Sequence, residues 1–261
     1  MEHYKVPPIL LLSALLLFGG LACRPTPSDP IEYLHREDSI IIQLLTVDDD
    51  ASEIERRLAV PEFTLYGNGT LIYQSISPDG TRLLETTLPA DAVQQLLEEI
   101  VHEGFLDFIY RQPAPAGASS ATTFIYAHTR DLANAVSVRG ADEPLPEDAG
   151  DDFDQYRTVQ AFVKRLRSLD LLKLGGTDSV AYVPEDYVMV SQTLDESSEP
   201  SERIVHASEI AGFLEPKGVS KLTLEEFADP KLTRPEGRPG QRIALAPLLP
   251  YYQNFPEFNL Q

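Results

Sequence analysis

The chain has 261 residues, with 41 Asp and Glu against 21 Lys and Arg for a net charge of −20, one cysteine and no tryptophan. That acidic excess excludes a nucleic-acid partner, since such binding comes from neutralising phosphates with Lys and Arg, and it excludes attachment to anionic headgroups through a basic patch. A single cysteine excludes an intrachain disulfide, a Cys-based zinc site and a CxxC redox pair, so the 43% hydrophobic content has to supply the core unaided.

The first feature along the chain is ILLLSALLLFGGLAC, residues 9–23. A secretory signal combines a polar start, an apolar core of roughly 7–15 residues and small residues at the cut. Ile9 to Phe18 forms such a core, Gly19, Gly20 and Ala22 are the small residues, and Lys5 at the start is opposed by Glu2. The ending Leu21-Ala22-Cys23 resembles the lipobox of bacterial lipoproteins, with Gly20 and Leu21 standing where the usual pattern has Leu and a small residue. The resemblance implies that Cys23 becomes the mature N-terminus and carries acyl chains on its sulfur and amine. It also implies that the partner is a membrane, reached through this lipid, and that the domain lies outside the cytoplasm on the cell membrane or outer membrane. Two or more acyl chains hold firmly where one binds marginally. The other readings of the run are a plain cleaved signal, an uncleaved anchor, and burial in a soluble fold. A spanning helix takes about 20 apolar residues, and this core is shorter. RPTPSDP, residues 24–30, is a Pro-rich tether. The expected layout is residues 1–22 as signal peptide, 23–37 as lipidated cysteine and tether, 38–174 as an α+β domain, and 175–261 as a β-rich part of the same domain or a separate one.

Ser39 to Val47 reads as a mostly buried strand ending in a solvated turn, Asp48-Asp49-Asp50. In PEFTLYGNGTLIYQSI, Phe63 and Leu65 alternate with Thr64 and Tyr66, and Leu71 and Tyr73 with Ile72 and Gln74. Asn68-Gly69 between the arms suits a tight hairpin turn. A second turn at Ser77-Pro78-Asp79-Gly80 leads to a strand from Arg82 to Leu88, which predicts a three-stranded meander over residues 62–88. A helix follows, with Pro89 at its first position and one apolar face of Val93, Leu96, Leu97, Ile100 and Val101. Gly104 stops it, and Phe105 folds back on the last turn.

Residues 111–119 read as a loop, and Thr122–His128 with Leu132–Arg139 as a second hairpin. After the acidic loop ADEPLPEDAGDD comes a second helix, with Phe153, Tyr156, Val159, Phe162, Val163, Leu166 and Leu169 as its buried stripe. Asp152 or Asp154 is expected to cap its start, and Lys164, Arg165 and Arg167 to complement the dipole at its end. Strands then helix, twice over, reads as a structural duplication. Gly175-Gly176 marks a boundary, followed by strands at Asp186–Thr193, Arg203–Ala207 and Gln241–Ala246 and a helical turn at Thr223–Phe227 with a Thr223–Glu226 capping box. LDESSEPSE and PEGRPG read as loops. The predicted class is α+β: an antiparallel sheet built from meander or hairpin-plus-helix units, with the helices on one face. PEFTLYGNGTLIY with the following helix and Gly104-Phe105, and the ending Pro247-Leu248-Leu249-Pro250, resemble uncharacterised bacterial lipoproteins. That resemblance implies an exported α+β domain and carries no established activity.

Catalytic motifs are absent from the sequence: no G-x-S-x-G, no phosphate loop, no GxGxxG and no HExxH, so no catalytic residue and no cofactor is assigned. His35, His102, His128 and His206 are not at metal-ligand spacing. The metal candidates are the acids Asp148, Asp151, Asp152 and Asp154, since hard cations take several carboxylate oxygens. Their spacing does not fit an EF-hand, and a solvated loop with a helix cap is the competing reading. The functional expectation is a lipid-anchored envelope protein with a non-enzymatic binding or structural role. The alternative is an envelope hydrolase using paired carboxylates, whose separation is set in space and not in sequence.

Overall fold

The computed structural model describes residues 29–109, 112, 120–145, 153–193, 201–214, 222–228 and 241–250. The chain divides at Pro30/Ile31, and of the first unit only Asp29 and Pro30 are described. The second unit is an α+β fold organised around two antiparallel sheets.

Strand β1 (Ile40–Asp48) is an interior strand of the larger sheet. On one side it pairs with β2 (Phe63–Tyr66), which continues into β3 (Thr70–Ser77) and β4 (Gly80–Thr87). On the other side it pairs with β5 (Ala121–His128), which pairs with β6 (Ala133–Arg139). A two-residue strand β7 (Val180–Ala181) closes the far edge against β4, giving the order β6-β5-β1-β2-β3-β4-β7. The predicted meander and second hairpin are both present, and β1 is inserted between them. Gly67-Asn68-Gly69 forms a three-residue connection, one residue longer than the Asn68-Gly69 turn expected, with Asn68 Oδ1 accepting from the Thr70 amide at 3.0 Å. Register shifts between Ile40 and Ile42, where β1 bulges against β2. The bulge brings Ile41 and Ile42 into one apolar cluster, although neighbours in a regular strand face opposite ways.

Two helices cover the same sheet face. Helix α2 (Ala90–His102; α1, Glu53–Arg57, precedes the meander) buries Ala92, Val93, Leu96, Leu97 and Ile100. Helix α3 (Asp154–Arg167) buries Tyr156, Val159, Phe162, Val163 and Leu166. Both stripes join Ile42, Leu44, Leu65, Leu71 and Ile125 in one core, each fully buried aliphatic side chain contributing about 1.5–3 kcal/mol. The Tyr156 hydroxyl is 2.7 Å from the Gly140 carbonyl and 3.0 Å from that of Arg139, tying α3 to the end of β6. Burial, then the charges of Glu143 and Asp142, push its phenol pKa up.

Several local expectations change. Pro89 is the N-cap of α2 and not its first helical residue. Val101 is 41% exposed, and Ala92 takes the fifth buried place. Gly104 does end α2 in the left-handed region (φ 72°), with Phe105 buried beneath it. Asp154 is the first residue of α3 and not its cap; the N-cap is Phe153, and Asp154 pairs with Arg157 one turn on. Helix α1, capped reciprocally by Ser52 and Glu55, carries an S-x-x-E signature that the sequence reading passed over.

The smaller sheet has the order β10-β8-β9, from β8 (Asp186–Thr193), β9 (Ser201–His206) and β10 (Gln241–Leu248). Ser201 and Glu202, expected in a loop, belong to β9. Helix α4 (Ala207–Leu214) was not anticipated, whereas α5 (Leu224–Ala228) starts with the expected Thr223–Glu226 capping box. Tyr187, Val205, Ile210, Leu222 and Leu245 form the core of this part. Leu249 packs with Tyr66, Ile72 and Leu83, residues of the opposite face of the larger sheet. There the Tyr66 hydroxyl donates to the Pro250 carbonyl at 2.8 Å.

Candidate functional site

A cleft of about 740 Å³ opens where the end of α3 stands over the larger sheet, within the roughly 300–1,000 Å³ typical of small-ligand sites. Its floor is apolar and buried, with Leu44, Phe63 and Leu71 from three neighbouring strands and Leu166 from α3, and the half-buried Leu169 and Leu171 from the segment after α3 stand above it. Inward-facing strand positions and the last turn of α3 converge here. Ile76, 84% exposed, stands at the rim.

One polar constellation lines this cleft. Arg167, the last residue of α3, does more than complement the helix dipole. Its Nε donates to Glu62 Oε2 at 2.7 Å, and its Nη2 donates to Glu62 Oε1 at 3.0 Å and to Thr46 Oγ1 at 2.9 Å. Its Nη1 donates to Asp142. The fork-to-fork geometry with Glu62 is the strong form of this ion pair. Backbone bonds hold Glu62 in place: its amide donates to the Leu44 carbonyl and its carbonyl accepts from Gln74, both at 2.8 Å. Burial works against the charge of Arg167, but the hydrogen bonds and charges of Glu62 and Asp142 outweigh it and hold the guanidinium pKa above its ordinary value. Side-chain exposure is 26% for Arg167 and 23% for Glu62, against 71% for Asp142. The arrangement is therefore a fixed Arg–Glu pair with an exposed acid beside it.

The predicted site residues lie elsewhere. Cys23 falls outside the described residues, as do Asp148, Asp151 and Asp152. Asp154 is described and is engaged with Arg157. Among the described residues no three His, Cys, Asp or Glu side chains converge to hold a metal ion. A second hollow, of about 520 Å³, is lined by Glu37, Glu185 and Asp186 without forming such a group. The described histidines are dispersed. His35 packs against Tyr33 with ring centroids 4.0 Å apart and planes inclined at 44°, His102 ends α2, and His128 lies near Tyr126. His206 Nδ1 accepts from the Ser208 amide at 3.2 Å at the start of α4. The sequence reading missed Glu62, Asp142 and Arg167 because their partnership spans 105 and 25 residues of chain. The available signal was weak: an arginine at the end of an amphipathic stripe, and an acid just ahead of a strand.

The chain matches no protein-family model, and no curated protein matches it.

Proposed function

We propose that this protein is a lipid-anchored cell-envelope protein with a non-enzymatic binding role, held at the membrane through Cys23 and presenting the cleft beside Arg167 as its binding surface. The observation that carries the anchor is the run Ile9–Cys23, in which an apolar core ends in small residues and then in the chain's one cysteine. The tether of residues 24–30 supports it, because it ends where the chain divides into two units at Pro30/Ile31. No helix among the described residues is long and apolar enough to cross a membrane.

The rival reading, a hydrolase working through paired carboxylates, finds one pair in this cleft, Glu62 and Asp142. Both are hydrogen-bonded to the same guanidinium. Such a pair requires one carboxyl to give a proton and the other to act as base or nucleophile. The Arg167 bridge favours binding over catalysis.

Replacing Cys23 by Ser tests the anchor. Expressed in a bacterial host, the wild-type chain is expected to sediment with membranes and to stay there in high salt, while Cys23→Ser is lost from that fraction. A Cys23→Ser protein that still sediments with membranes defeats the reading.

A further inference from the structure

The polar end of the cleft carries uneven charge: Arg167 contributes +1, and Glu62 and Asp142 contribute −1 each, leaving −1. Hydrogen bonds to Glu62, Thr46 and Asp142 take four of the five N–H groups of the guanidinium. An anionic head would have to sit beside two like charges. A cationic head meets the opposite situation. Asp142 is 71% exposed and turns one carboxylate oxygen to Arg167, which leaves the second for an incoming donor. Arg82, opposite Ser75 in register, is not part of the cleft wall. From this end the part of the lining that keeps surface runs over Tyr73, Leu169 and Leu171 to the exposed Ile76, above a buried floor of Leu44, Phe63 and Leu71, and covering it removes apolar area from water.

We propose that the cleft binds a small amphiphile whose apolar body lies over Tyr73, Leu169, Leu171 and Ile76 and whose ammonium head is received by Asp142 and Glu62. The inference rests on the cleft being the binding surface and names its ligand class. The ammonium donates its protons to carboxylate oxygens, and Arg167 keeps Glu62 from turning away.

The test uses the full chain in phosphatidylcholine nanodiscs, with empty nanodiscs as the blank, titrated calorimetrically with octylammonium, octanol and octanoate. Octylammonium is expected to bind roughly tenfold more tightly than octanoate, with octanol between them. Asp142→Asn, at an exposed position, neutralises the surplus charge and is expected to bring octylammonium and octanoate within about twofold of each other. Ser75→Trp, which fills the cleft from β3, is expected to lose all three ligands while keeping the wild-type circular dichroism spectrum. Equal affinity for octylammonium and octanoate, or a preference that survives Asp142→Asn, overturns the ammonium head alone. Absence of binding by octanol and octylammonium alike, or binding untouched by Ser75→Trp, overturns the cleft as the binding surface. Neither result bears on the anchor, which membrane fractionation tests separately.

Discussion

Leu96→Ala is expected to lower the unfolding free energy by about 3–4 kcal/mol, the middle of the range for a fully buried leucine. Leu96 has no exposed surface and sits midway along α2, in the core that α2 shares with α3 and the inner face of β1, β2 and β3. Truncation removes the transfer energy of three carbon atoms and leaves a void that the sheet on one side and the helix backbone on the other cannot close. Urea unfolding followed by circular dichroism measures it, as a lower midpoint at unchanged slope. Val101→Ala is the contrast. A heptad-type reading puts Val101 on the same face, yet it is 41% exposed, and its truncation is expected to change stability by no more than about 0.5 kcal/mol. Equal losses at the two positions would mean that α2 is rotated about its axis from the placement described.

Gly67→Ala is expected to cost about 3 kcal/mol, at the top of the range for overpacking. A Cβ at Gly67 would lie 1.8 Å from the Leu34 carbonyl oxygen and 3.0 Å from the Arg36 amide nitrogen. Both are backbone atoms of the segment that crosses the β2–β3 connection, so no side-chain rotation relieves the clash. The Gly67 amide also donates to the Ser39 carbonyl at 2.8 Å, so the connection cannot withdraw without losing that bond. Gly104→Ala isolates the other reason for a glycine. Its φ is 72°, but the nearest atom to a new Cβ is Phe108 Cε1 at 3.8 Å. The cost there is the left-handed backbone alone, about 1–2 kcal/mol. The same urea series ranks the two variants, and a Gly67→Ala loss below that of Gly104→Ala would contradict the close approach of residues 34–36.

Local order was readable from local sequence. The period-2 alternation of Phe63–Gln74, the 3.6-residue spacing of Val93–Ile100 and the Thr223–Glu226 capping box each depend on residues a few positions apart, and each appears in the structure. What escaped depends on distant residues. Nothing near Ser39 says that β1 pairs with both hairpins, nor that a bulge turns Ile41 and Ile42 the same way. Ser201 and Glu202 look like loop residues because β9 is an edge strand whose first four residues are all exposed, so no apolar alternation marks it. The candidate site escaped for the same reason. Local sequence places Arg167 at its own helix end, where its charge is favourable, but its partners Glu62 and Asp142 come from other parts of the chain. The acids around Asp148 are neighbours in sequence, which is no measure of convergence in space.

The most direct measurement of the central claim is the mass of the mature N-terminus. Protein recovered from the membrane fraction of a bacterial host, digested and analysed by mass spectrometry, should yield a first peptide that begins at Cys23 and carries the added mass of its acyl chains on the sulfur and the amine. An intact first peptide containing residues 1–22, or an unmodified peptide beginning at Cys23 or beyond, would contradict the anchor.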